Sequence, residues 1–103
     1  MSQLDQLTLH DFTPYLNQFF RIRLIDHEPI DLELIAVTPL PLATKPPASV
    51  RLPFSIAFLG PVSRQYLPQG TYRLEHVEFG ALDLFIVPLG PQAGRMQYEA
   101  IFT

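Results

Sequence analysis

Thr71-Tyr72-Arg73-Leu74-Glu75-His76-Val77 and, three residues on, Ala81-Leu82-Asp83-Leu84-Phe85-Ile86-Val87 are the stretch that decides the fold. Apolar and polar residues alternate in both halves. This is the period-two pattern of half-buried strands, not the 3.6-residue period of a helix. Setting Leu74 opposite Leu82 places Tyr72 opposite Leu84 and Arg73 opposite Asp83, with the chain turning at Glu78-Phe79-Gly80. A slip of one residue would set apolar side chains against charged ones along the whole ladder. The two halves therefore read as an antiparallel hairpin.

Four more runs carry the same alternation. Near 19–25, Phe20, Ile22 and Leu24 share a face opposite Arg21 and Arg23; near 30–37, Ile30, Leu32, Leu34 and Ala36 oppose Asp31 and Glu33. Near 51–59, Leu52, Phe54, Ile56 and Phe58 fall on one side, and near 96–102, Met96, Tyr98, Ala100 and Phe102 do. With 71–77 and 81–87 this makes six strands. The expected fold is all-β and antiparallel, a small barrel or a sandwich.

Charge patterning also sets a register for the first two runs. A five-residue loop at Ile25–Pro29 puts Leu24 opposite Ile30, Ile22 opposite Leu32, Arg23 opposite Asp31 and Arg21 opposite Glu33. Each exposed pair is worth at most ~1 kcal/mol, so such pairs select a register more than they hold the fold. Gly60-Pro61, Pro68-Gln69-Gly70 and Gly90-Pro91 read as strand ends. The four residues Phe58-Leu59-Gly60-Pro61 are echoed at Pro88-Leu89-Gly90-Pro91, two copies being too few for a solenoid. Thr13-Pro14 reads as an N-cap followed by a first-turn proline, predicting one helical turn near 14–18. Leu7-Thr8-Leu9 has the composition of a short edge strand. Between Thr38 and Pro53, five prolines predict a stiff, partly polyproline-like crossover, because each removes a ladder donor.

The bulk composition fits. A chain of 103 residues makes one domain, 1–103, and is long enough to bury a core without staples. Cysteine is absent, which excludes a disulfide framework and any thiolate site. Seven basic residues against ten acidic ones, scattered along the chain, leave a net charge of −3 and no basic stripe for nucleic acid. No run approaches the ~20 apolar residues of a membrane span, and the N-terminus has no signal-peptide pattern. The expectation is a cytoplasmic protein or a component of a particle assembled in the cytoplasm.

Leu67-Pro68-Gln69-Gly70-Thr71-Tyr72-Arg73-Leu74-Glu75-His76, Gly80-Ala81-Leu82, Leu84-Phe85-Ile86-Val87-Pro88-Leu89-Gly90-Pro91 and Tyr98-Glu99-Ala100-Ile101-Phe102 resemble a family of short bacterial proteins catalogued only as a domain of unknown function. Phe54-Ser55, Phe58-Leu59-Gly60-Pro61, Leu32-Glu33-Leu34-Ile35 and Val37-Thr38-Pro39 extend the likeness over most of the chain. The resemblance implies a stand-alone domain and no activity or site residues. It also suggests an association with phage-tail-like assemblies.

Candidate chemistry is sparse. His76 follows Tyr72 and Leu74 inward beside Glu75 and Glu78; a capping histidine satisfied by a turn carbonyl is the favoured reading, since a metal needs three or four converging ligands. His10 and His27 complete no metal-ligand spacing. Asp31, Glu33, Glu75 and Asp83 point outward, three of them toward an arginine, so a paired-carboxylate site is not indicated. Ser49, Ser55 and Ser63 sit in no nucleophile elbow, and no glycine-rich phosphate loop is present. No catalytic residue, metal or cofactor is expected.

Two functional expectations remain. Leu59, Phe85 and Ile101 on outward faces, with Leu40 and Leu42 in the crossover, would make an interaction surface for a protein partner or a second copy. Tyr72, His76 and Tyr98 would instead form the rim of the site of a small-ligand binder or enzyme at a barrel mouth, provided that a pocket of at least ~300 Å³ exists there.

Overall fold

The protein is described by a computed structural model at residues 7–41, 52–63 and 65–103. A short helix α1 (Leu9–Phe12) and a 3₁₀ turn (Thr13–Tyr15) precede six strands: β1 (Phe19–Ile22), β2 (Ile30–Pro39), β3 (Phe54–Val62), β4 (Gly70–His76), β5 (Gly80–Gln92) and β6 (Arg95–Phe102). The strands close into an antiparallel barrel in the order β1-β2-β3-β6-β5-β4. Closure decides between barrel and sandwich, and it leaves inward-facing side chains as the core. Phe20, Ile22, Leu32, Leu34, Ile56, Phe58, Leu74, Leu82, Leu84, Ile86 and Ala100 fill the interior.

The β4–β5 hairpin has the register read from its sequence: Tyr72 opposite Leu84, Arg73 opposite Asp83 and Leu74 opposite Leu82. Arg73 Nε lies 3.2 Å from the Asp83 carboxylate. The β1–β2 register is displaced by two residues from the sequence expectation. Ile22 faces Ile30 and Arg21 faces Asp31, and the loop is longer than five residues because β1 ends at Ile22 instead of near residue 25. A two-residue slip keeps every side chain on its own face, so alternation alone does not detect it. The second edge of β1 supplies the missing constraint: Arg21 and Ile22 also pair with Glu75 and Leu74 of β4. Beyond that ladder, Arg23 reaches Glu75 at 2.9 Å instead of Asp31, and Glu33 takes Arg95 at 3.1 Å instead of Arg21.

Both Gly-Pro steps lie within strands and do not end them. β3 runs through Gly60-Pro61 to Val62, and β5 through Gly90-Pro91 to Gln92. Each falls at a break of register against β6, between Leu59 and Val62 on one side and between Pro88 and Gly90 on the other. The sequence echo is thus a pair of bulges flanking one strand. It is not a duplicated unit, because the two copies occupy different positions in the meanders β1-β2-β3 and β4-β5-β6.

The N-terminal segment departs from expectation only in part. The expected turn at Pro14 is the 3₁₀ turn Thr13–Tyr15, with Pro14 in its first turn. It ends at Tyr15, however, an α-helix starting at Leu9 precedes it, and Leu7-Thr8-Leu9 is not a strand. Thr8 is the N-cap: its backbone N–H donates to Asp11 Oδ2 at 2.7 Å, the carboxylate reaching back from the third helical position. Asn17, at φ 69°, turns the chain so that its N–H donates to the Leu34 carbonyl at 2.7 Å and leads into β1. In the proline-rich crossover, β2 extends to Pro39, and Leu40 N–H donates to the Pro53 carbonyl at 3.0 Å. Leu42, Ser49 and Arg51 lie outside the described residues, and the third strand begins at Phe54.

Candidate functional site at the open barrel mouth

The two mouths of the barrel are built differently. At the mouth where β1, β3 and β5 begin, α1 and the 3₁₀ turn lay Phe12 and Tyr15 over the opening. Phe12 meets Phe79 and Phe102 at ring-centroid distances of 5.0 and 5.3 Å, and Phe54 stacks on Phe102 at 4.5 Å. His76 belongs to this plug. Its ring lies 4.8 Å from Tyr15 and 4.9 Å from Phe20. Nδ1 accepts from the backbone N–H groups of Glu78 and Phe79 at 3.0 and 3.1 Å, which leaves Nε2 to donate to Gln18 Oε1 at 2.7 Å. His76 therefore closes the β4–β5 turn as a cap, through two amide N–H groups. It stands at the opposite mouth from Tyr72 and Tyr98.

Those two tyrosines stand at the other mouth and clasp one segment. Tyr98, 2% exposed, accepts the Leu67 N–H on its hydroxyl at 2.8 Å. Tyr72 donates its hydroxyl to the next carbonyl, Pro68 O, at 2.7 Å. The Tyr98 ring can lie against β3 because residue 60 is glycine: a Cβ there would come within 3.3 Å of Tyr98 Cε2. Burial pushes the Tyr98 phenol above its ordinary value, against the Leu67 hydrogen bond that favours ionisation. It is a protonated hydroxyl at neutral pH.

Beside this clasp is a cleft of about 520 Å³. Leu24 and His27 of the β1–β2 loop and Ile30 at the start of β2 form one wall. Pro61 at the end of β3, then Ser63, Gln65, Tyr66 and Leu67, form the other, with Tyr98 beside them. The walls are mostly apolar. Ser63 Oγ accepts the Gln65 N–H at 3.0 Å, and Ser63 N–H donates to Gly94 O at 3.3 Å, which anchors Ser63 and Gln65. His27, on the exposed rim, donates from Nδ1 to Glu28 O at 2.7 Å. No Asp, Glu, Lys or Arg is among the described lining residues.

Residues 7–102 match the model of a family described as a domain of unknown function, DUF6916. The chain belongs to this family. No curated protein and no solved structure matches it. The family description assigns no activity, so the chemistry of the mouth rests on its own residues.

Of the three residues expected at a rim, Tyr98 lines the cleft, Tyr72 stands beside it in the clasp and His76 lies at the opposite mouth; the other lining residues carried no such expectation. Leu24 and Ile30 were legible as inward-facing, but they serve as lip residues because β1 stops at Ile22. Ser63, Gln65, Tyr66 and Leu67 lie in a connection with no periodic signal. Of the expected interaction surface, Phe85 and Ile101 are 54% and 58% exposed, whereas Leu59 and Leu40 are half-buried. Ser55, expected to carry no chemistry, is a buried residue of β3. Among the described residues no group of three or more His, Cys, Asp or Glu could hold a metal ion, and no helix is long and apolar enough to cross a membrane.

Proposed function

We propose that this domain is a non-enzymatic binding module whose contact site is the open mouth bounded by Leu24, Ile30, Leu67 and Tyr98. The cleft of about 520 Å³ carries the proposal. Its size falls in the ~300–1,000 Å³ range of small-molecule sites, and its mixture of apolar walls and a few fixed polar groups is the usual composition of one. Binding rather than catalysis is supported by where the charges go. Arg21, Arg23, Arg73 and Arg95 are each paired with an acid on another strand, which commits Asp31, Glu75, Asp83 and Glu33 to the barrel wall. Titration with a library of small charged and uncharged fragments, read by methyl NMR, tests the proposal. Saturable shifts at Leu24, Ile30 and Leu67 are expected, and they should vanish when Leu24→Trp fills the cleft. A library without one saturable binder would refute it.

A second reading is favoured by the exposure of Phe85 and Ile101 on the outer wall. Such a surface suits self-association or a protein partner, and a seat in a phage-tail-like assembly is its most specific form. Light scattering of the wild type against Phe85→Ser/Ile101→Ser tests it. A wild type that stays monomeric at high concentration and binds no component of a reconstituted tail-like particle would end it.

A further inference from the structure

The Tyr98 hydroxyl has two capacities and uses one. It accepts the Leu67 N–H at 2.8 Å, which occupies a lone pair and leaves the O–H proton to donate. Among the described residues no acceptor receives that proton, although the side chain is 98% buried and forms part of the cleft wall. Tyr72 solved the same problem differently, giving its proton to Pro68 O. A buried donor without an acceptor costs free energy, and a ligand atom that accepts from it recovers that cost. Leu24, Ile30, Pro61 and Leu67 make an apolar wall, and no Asp, Glu, Lys or Arg is among the described lining residues. An ion entering it would lose its hydration without compensation, whereas an uncharged ring would bury apolar surface.

We propose that the mouth takes a small, uncharged, ring-bearing ligand whose carbonyl or ether oxygen accepts the hydrogen bond of Tyr98. The proposal rests on the mouth being a binding site and adds the class of its ligand. One polar atom orients the ligand and the rest is held by burial. Among the described lining residues His27, on the rim, is the one group that could favour an anion instead, so the test includes one.

Three probes of similar size separate the possibilities: acetophenone, ethylbenzene and benzoate, each titrated into the whole protein and followed at the Leu24, Ile30 and Leu67 methyl groups. Acetophenone should bind roughly three- to tenfold more tightly than ethylbenzene, the span of one neutral hydrogen bond, and benzoate more weakly than either. In Tyr98→Phe the acetophenone preference should disappear while ethylbenzene affinity changes little, which a purely structural role for the hydroxyl would not produce. Equal binding of acetophenone and ethylbenzene by the wild type, or tighter binding of benzoate, would overturn the ligand class while leaving a binding mouth. If none of the three binds and the fragment library also fails, the mouth itself is not a site. Should Tyr98→Phe not fold, the wild-type ratio decides alone.

Discussion

The plugged mouth and the open mouth are made from the same six strands, yet one is finished with aromatic rings and the other with loops. At the plugged end Phe12 arrives from outside the sheet and is fully buried between Phe79 and Phe102. At the open end the chain offers Leu24 and the segment around Leu67, held by hydroxyl-to-backbone bonds instead of ring packing. Packing of buried rings is undone only together, whereas hydrogen bonds from a tyrosine to a loop can be rearranged one at a time. The barrel thus separates an end held by ring packing from an end held by hydrogen bonds.

The largest expected effect tests that separation directly. Phe12→Ala should cost about 3–5 kcal/mol in urea unfolding, the range for deleting a fully buried phenylalanine. Leu24→Ala, at the half-buried lip, should cost about 1 kcal/mol or less. Similar losses for both would break the contrast. Next in size, Tyr98→Phe should cost about 1–3 kcal/mol, since it leaves the buried Leu67 N–H without its acceptor. The same variant has a pH signature. The folded phenol is raised above the ordinary value of 10.0, so its contribution is complete below about pH 10 and is lost as pH rises through the folded value. Alkaline unfolding curves should flatten on this limb in Tyr98→Phe.

A smaller effect lies at the tip of the open end. The β5–β6 hairpin turns on Ala93-Gly94 with φ of 53° and 80°, so an alanine holds a left-handed position. Asn-Gly suits such two-residue turns, and Ala93→Asn should raise stability by about 0.5–1 kcal/mol. The smallest effect belongs to the outer wall. The hydrogen bond from Arg21, and then its charge, hold the Asp31 carboxyl below its ordinary 3.8, outweighing partial burial. That contribution is present above the ordinary value and disappears as pH falls through the lowered one. Both groups are well exposed, so solvent screening keeps it slight. Acid unfolding of Asp31→Asn should be marginally less steep than that of the wild type.

How much of this was legible in the sequence follows from the range of each signal. The β4–β5 register was readable because its turn is short and charge and apolar pairs agree on one alignment. The β1–β2 register was not, because its choice depends on β4, which is some fifty residues away in the chain, and alternation is blind to a shift of two. Thr8 with Asp11 carried the helix signal, but Thr13-Pro14 resembled a start more closely. Tyr72 and Tyr98 were visible as a rim from their parity near strand ends. His76 shares that parity, and only the direction of β4 tells which mouth it serves. The cleft wall of Ser63, Gln65, Tyr66 and Leu67 has no period to read, since a connection acquires its shape from what it is tied to.

The seam between β1 and β4 holds two residue pairs, Arg21 with Glu75 and Ile22 with Leu74, whereas β3 and β6 are joined from Phe54 to Val62. Closed barrels are drawn as continuous, but cooperativity around this one is uneven. Breathing will begin at the short seam, with the Arg23–Glu75 ion pair and the His76–Gln18 bond as its clasps. Amide protons on Ile22 and Leu74 should then exchange with deuterium well before those of Ile56 and Ala100, although all four residues are equally buried.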